Sequence, residues 1–195
     1  MLPVYDIQPE LIAAMGDVGR CVLTAPTGSG KTTQVPRILH DAGIVDGRIV
    51  VLQPRRLATR LVARRVAHEM GVEVGGAVGY QTRHDRQVSD DSRIVFMTNG
   101  LFLRRLQSDP HLRGVGAVVI DELHERDLAA DLALALTARL GRGGRPDLKL
   151  MAMSATLETA KVADYLDCPA IEAGGRAYPV DIRYLTRPVD FRKTP

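Results

Sequence analysis

Asp121 and Glu122 end the apolar run Ala117-Val118-Val119-Ile120, and 90 residues before Asp121, Lys31 and Thr32 close a Gly-rich turn. A lysine can neutralise phosphate oxygens, a threonine hydroxyl and an aspartate can share a divalent cation, and a second carboxylate can orient or deprotonate water. Together these are the parts of phosphate-bond hydrolysis. The turn reads Ala25-Pro26-Thr27-Gly28-Ser29-Gly30-Lys31-Thr32-Thr33. It follows a short β-favouring run, 21–24, and opens into a helical pattern, which is the strand–loop–helix setting of a phosphate-binding loop. Gly28 and Gly30 leave the backbone without Cβ atoms, so successive N–H groups can turn inward onto phosphate. A helix starting near Lys31 adds the positive end of its dipole at the same point. The expected contacts are Thr27, Gly28, Ser29, Gly30, Lys31, Thr32 and Thr33, with Lys31 on the β- and γ-phosphates. Thr32 and Asp121 would hold Mg²⁺ beside Glu122. Ala25 stands where a first glycine is usual. Alone, Asp121-Glu122-Leu123-His124 reads equally well as a solvated acidic turn; its place downstream of the Gly-rich loop gives it weight.

The elements that must position these residues alternate along the chain. Helical patterns cover 9–15, 31–43, 57–70, 100–107, 128–140 and 159–166. Apolar, β-favouring runs cover 21–24, 48–53, 77–81, 93–97, 117–120 and 148–153, with a late strand expected over 179–185. Near-continuous apolar runs indicate strands buried on both faces. Strands alternating with helices and joined by short connections imply an α/β fold, a mostly parallel sheet with helices on both faces, wound right-handedly. In such sheets ligands bind beyond the carboxyl ends of the strands. Lys31, Arg55, Thr98, Asp121 and Ser154 all fall at such ends. No internal repeat or low-complexity linker divides the chain, so one domain over 1–195 is expected.

Bulk properties narrow the classes of function. The 195 residues are 45% hydrophobic and 25% charged, ordinary for a soluble globular protein. Aromatic residues make up 4% and there is no Trp, which argues against base stacking on aromatic platforms. A formal net charge of +3 is compatible with nucleic acid. Cys21 and Cys168 lack metal-ligand spacing, which suits a reducing, cytoplasmic setting. No apolar run approaches membrane-spanning length.

Five motifs occur in a recognisable order: Ala25 to Thr32, then Gln53-Pro54-Arg55-Arg56, then Thr98-Asn99-Gly100, then Asp121-Glu122-Leu123-His124, then Ser154-Ala155-Thr156. In this the chain resembles the first RecA-like domain of a DEAH-box helicase of superfamily two. The resemblance is strongest to the bacterial HrpB group, through Leu2-Pro3-Val4, Gly79-Tyr80-Gln81-Thr82-Arg83, Asp109-Pro110 to Gly116, and His124-Glu125-Arg126-Asp127-Leu128. It covers nearly the whole chain; Leu123 departs from it, standing where the family name puts Ala.

The resemblance implies an RNA helicase ATP-binding domain that uses ATP and Mg²⁺. Lys31, Glu122 and His124 would be catalytic, and Thr32, Asp121 and Glu122 would lie at the metal. Arg55, Arg56, Arg83, Thr98 and Asn99 would meet the backbone of single-stranded RNA, with DNA left open. A surface ion pair is the competing explanation for Arg55 and Arg56; plain helix capping is the other explanation for Thr98 and Asn99, and is compatible with the phosphate contact. Arg65 matches the family's adenine-packing arginine, although an ordinary surface Arg fits there too. Ser154 and Thr156 match the element coupling the nucleotide and strand sites; a capping pair before the next helix is the alternative. The family's second RecA-like domain, which supplies arginine fingers, is expected to be absent from these 195 residues. The chain alone would then be poorly active, or a binding module without significant turnover. Gly141-Arg142-Gly143-Gly144-Arg145 lies before Ser154 rather than in a second domain, and reads as a flexible basic loop.

Overall fold

The computed structural model describes residues 2–156, 159–174 and 181. Eight strands form one sheet: β1 (Arg20–Thr24), β2 (Arg48–Gln53), β3 (Val78–Gln81), β4 (Arg86–Gln87), β5 (Ile94–Thr98), β6 (Val115–Ile120), β7 (Lys149–Ser154) and β8 (Ala170–Glu172). Their order is β4-β3-β5-β2-β6-β7-β1-β8. Every pairing is parallel except β3–β4. The helices are α1 (Gln8–Asp17), α2 (Lys31–Asp41), α3 (Arg56–Glu69), α4 (Asn99–Ser108), α5 (Leu128–Arg142) and α6 (Ala160–Leu166), and a 3₁₀ turn, Pro3–Ile7, precedes α1.

Strand alternation sorts the apolar residues onto two faces, because successive side chains point to opposite sides of a sheet. Cys21, Leu23, Ile49, Val51, Ala117, Val119, Met151 and Met153 share one core with α1, α2 and α3. Val22, Val50, Leu52, Val118, Ile120, Leu150 and Ala152 share the other with α4, α5 and α6. This is the expected α/β sheet with helices on both faces. Because β1, β2, β5, β6 and β7 run parallel, their carboxyl ends at Thr24, Gln53, Thr98, Ile120 and Ser154 open on one edge.

Two strands escape the sequence pattern. β4 is two exposed polar residues, paired to β3 through Tyr80–Gln87 and Gln81–Arg86. β8 is three residues with only Ile171 buried. The strand expected over 179–185 falls, apart from Asp181, outside the described residues. The 141–145 segment is not the flexible basic loop expected. Helix α5 continues through Arg142, whose guanidinium donates to the Tyr165 carbonyl and sits 4.9 Å above that ring. Arg145 donates to the carbonyls of His111 at 2.6 Å, Leu112 at 3.1 Å and Val115 at 2.9 Å.

Candidate functional site

Helix α2 starts immediately at the end of the Gly-rich loop, with Gly30 as its N-cap in the left-handed region at φ 91°. That left-handed backbone is what demands glycine here, since the nearest atom a Cβ would meet, at 2.8 Å, is the end of the exposed Leu2 side chain. Gly28 has φ 78°. The N–H groups of Gly28, Gly30, Lys31 and Thr32 find no partner among the described residues. Four unpaired donors at one helix start form a ready anion cradle. The Ser29 hydroxyl is buried and likewise has no partner among them.

A cavity of about 360 Å³ opens over this loop, lined by Thr27, Gly28, Gly30, Lys31, Thr32, Thr33, Arg65, Glu69 and Glu122, with Leu2 at its margin. Lys31 is 4% exposed, and its Nζ lies 3.7 Å from Glu122 Oε1. The Thr32 hydroxyl donates to Asp121 Oδ2 at 2.6 Å. The same oxygen accepts from Gln53 Nε2 at 2.8 Å, and Oδ1 accepts the Glu122 N–H at 2.9 Å. Asp121 is buried, so these donors replace the water that a buried carboxylate must otherwise lose. Strand register accounts for the pair: Leu52 lies opposite Ile120, which brings Gln53 and Asp121 together one residue later.

Glu122 has left-handed backbone, φ 53°, and begins the 3₁₀ turn Leu123–Glu125. Leu123 is buried, a packing position. Burial, then the Asp121 charge, pushes the Glu122 carboxyl above its ordinary value, against the opposing pull of Lys31 and His124. His124 Nε2 lies 3.3 Å from Glu122 Oε2, and its Nδ1 accepts the Ala155 N–H at 3.2 Å. Ser154 Oγ accepts the Thr156 N–H at 3.2 Å. The competing capping explanation for this pair finds no support at α6, whose N-cap, Thr159, makes no side-chain cap bond and instead meets Thr24 Oγ1 at 2.9 Å.

Arg65, on the cavity wall, donates from Nε to Glu69. Glu69 also accepts from Gln34 at 2.7 Å and pairs with Arg37 at 3.2 Å. The Gln34 hydrogen bond, followed by the two arginines, holds the Glu69 carboxyl below its ordinary value.

A second concavity, about 180 Å³, brings Arg56, Arg83 and Thr98 together, with Gly100, Leu101 and Arg104. Thr98 is the N-cap of α4, yet its hydroxyl makes no capping bond, so it is not engaged as a plain cap. Arg83 is exposed on a turn closed by the Thr82 N–H donating to the Asp85 carbonyl at 2.8 Å. Two expected residues are placed differently. Arg55 pairs with Glu125 at 3.1 Å, as the surface ion-pair explanation has it, while its side chain stays 75% exposed. Asn99 is 2% exposed and donates to Asp127 Oδ2 at 2.8 Å, so its amide faces inward and only the helix start is presented outward.

Sequence reasoning missed Gln53 as the clamp on Asp121, Glu69 as the anchor of Arg65, and Arg104 in the second concavity. A polar residue closing the apolar run of β2 was the signal for Gln53. For Arg104 it was a basic residue directly after the apolar stretch 101–103. Among the described residues, no helix is long and apolar enough to cross a membrane, and no group of His, Cys, Asp and Glu side chains has a metal-cluster arrangement.

Comparison with known proteins agrees with this layout. Residues 5–165 match the DEAD/DEAH box helicase family model. The chain is 44% identical over 193 residues to the ATP-dependent RNA helicase HrpB of Escherichia coli (strain K12), covering 98% of this chain and 24% of that protein. It is 40% identical over 190 residues to the ATP-dependent RNA helicase HrpA of the same organism, covering 96% of this chain and 14% of that one. The crystal structure of the Escherichia coli DEAH/RHA helicase HrpB superposes with a TM-score of 0.90 at 43% identity, over 96% of this chain and 24% of that one. The chain thus spans about a quarter or less of the length of these relatives. With a matched model over most of its length, a RecA-like sheet and the five motifs gathered on one edge, the chain belongs to the DEAD/DEAH box helicase family.

Proposed function

We propose that this chain is the nucleotide-binding RecA-like unit, over 1–195, of an ATP-dependent RNA helicase. The observation that carries the reading is the set of unpaired N–H groups on Gly28, Gly30, Lys31 and Thr32 beside buried Lys31, with Glu122 facing it. In this reading Thr27, Gly28, Ser29, Gly30 and Thr33 wrap the triphosphate, Lys31 neutralises its β/γ end, and Arg65 packs on the adenine. Glu122 holds and deprotonates the attacking water, with His124 on its other oxygen. Mg²⁺ suits the hard oxygens of Thr32, Asp121 and Glu122, and when bound it spreads phosphate charge. Arg55, Arg56, Arg83 and Thr98, with the Asn99 helix start, meet the backbone of single-stranded RNA, or DNA. Ser154 and Thr156 couple the two sites.

The chain alone is proposed to bind nucleotide and turn it over slowly, because Arg145 is tied to carbonyls within the fold, Arg142 is held at the surface against Tyr165, and a facing second RecA-like domain would supply the finger. Such a finger is worth about 10³–10⁵ in rate. The cytoplasm is the proposed compartment, in keeping with two free thiols.

Titrating a fluorescent ATP analogue tests the reading. Lys31→Ala loses a charge-assisted contact worth about 1.5–3 kcal/mol, roughly ten- to hundredfold in affinity. Equal affinity for the two proteins would overturn it.

A further inference from the structure

A groove of about 470 Å³ lies between α4 and the β3–β4 edge, lined by Arg48, Arg86, Arg104 and Arg105 together with Gln81, Met97, Leu101 and Ser108. No carboxylate lines it. It adjoins the Arg56–Arg83–Thr98 concavity, because Leu101 and Arg104 line both. The four arginines are not equally engaged. Arg48 donates to the Ser92 and Ser89 carbonyls, each at 3.1 Å, and lies 3.7 Å from Asp90, itself fully exposed. Arg105 reaches the Arg113 carbonyl at 3.5 Å. The guanidinium groups of Arg86 and Arg104 have no ion pair among the described residues. Arg105 is held below the ordinary arginine value by burial and by Arg48, although Asp109 pulls the other way. Cations crowded into one partly desolvated groove favour an anion between them.

We propose that this groove extends the strand track, carrying further backbone phosphates of a single-stranded nucleic acid past Thr98. The inference rests on the nucleic-acid reading given above. The arginines come from three separate elements, β2, β4 and α4, and Arg104 continues into the neighbouring concavity, which suits a chain of phosphates better than one small anion. Half-buried Leu101 gives the groove some apolar surface against which a sugar can lie. The groove has no aromatic lining on which bases could stack, so its arginines address the phosphates, contacts that carry no sequence information. Arg104, shared by the two concavities, hands the strand from one to the other.

Arg86 separates the groove from the first concavity, since it lines only the groove and is exposed on the short edge strand β4. Fluorescence anisotropy would be measured on this chain with a short oligouridine, sufficient for the Arg56–Thr98 concavity, and a long one reaching past it. Arg86→Glu should weaken the long oligouridine several-fold and reduce its salt slope by about 0.7, the share of one phosphate on a single strand. Short-oligouridine and nucleotide affinities should not change, and Arg86→Lys should restore long-strand binding. Unchanged long-strand affinity would overturn the groove while leaving the Arg56–Thr98 site standing. Equal losses for both lengths would also overturn it, since they would report the general field of the protein or damage to the fold. If the unaltered chain binds neither oligouridine, the nucleic-acid reading itself fails, and the groove with it.

Discussion

The Ala155 N–H donates to His124 Nδ1 at 3.2 Å, joining the end of β7 to the acidic turn that follows β6. With Nδ1 accepting, the proton of a neutral imidazole sits on Nε2, the atom 3.3 Å from Glu122 Oε2. A backbone group beside Ser154 therefore sets how the histidine addresses Glu122. A shift of the 154–156 segment would be felt at the carboxylate through one ring.

Removing that ring separates binding from chemistry. His124→Ala leaves Lys31, Thr32 and the N–H row untouched, so nucleotide affinity should stay within about twofold. Single-turnover hydrolysis should fall roughly 10- to 100-fold, the usual cost of removing a partner that orients a reacting group. A parallel loss of affinity would instead assign the histidine to packing.

Glu122 gives a pH signature of definite sign. Its carboxyl is raised above the ordinary 4.5 by burial and by Asp121. The native state thus keeps a proton that the unfolded chain has already released, and stability declines as pH rises from about 4.5 through the raised value. Glu122→Gln abolishes that titration. Thermal denaturation across this window should show the unaltered chain losing stability relative to the variant as pH increases, and parallel curves would contradict the assignment. The same shift moves the acidic limb of any turnover that requires ionised Glu122 above the ordinary carboxylate range.

The sheet and its busy edge were legible because buried parallel strands are long apolar runs and each motif sits where a run stops. Apolar periodicity could not reveal β4, since Arg86 and Gln87 are two exposed polar residues that pair only because β3 offers an edge. Nor could it distinguish Asn99 from Thr98. Adjacent residues at a helix start point in different directions, and only the packing of α4 against α5 turns the Asn99 amide onto Asp127. The Gly-rich segment 141–145 misled for a related reason. Glycine and arginine suggest a solvated loop, whereas three carbonyls from a distant turn fix Arg145.

Arg145 supplies the last prediction, because a structural tie and a catalytic finger fail differently. Its guanidinium reaches the carbonyls of His111, Leu112 and Val115, which lead into β6, and it is itself held by Asp147 at 2.7 Å. Leu112 there has left-handed backbone, φ 48°, a conformation an unsupported leucine disfavours. Arg145→Ala removes this donor from all three carbonyls, although that of Leu112 keeps the Val115 N–H at 3.0 Å, at a cost of about 1–3 kcal/mol that lowers Tm by roughly 5 °C in a chain of this size. Lysine cannot restore the tie, since one ammonium does not reproduce a planar fork spanning three acceptors. Arg142→Ala, which loses mainly its place over Tyr165, should cost less, about 0.5–1 kcal/mol. Neither variant should change nucleotide affinity or the basal hydrolysis rate measured well below its Tm. If Arg145→Ala melts with the unaltered chain while its basal hydrolysis disappears, the residue is a finger and the structural assignment is wrong.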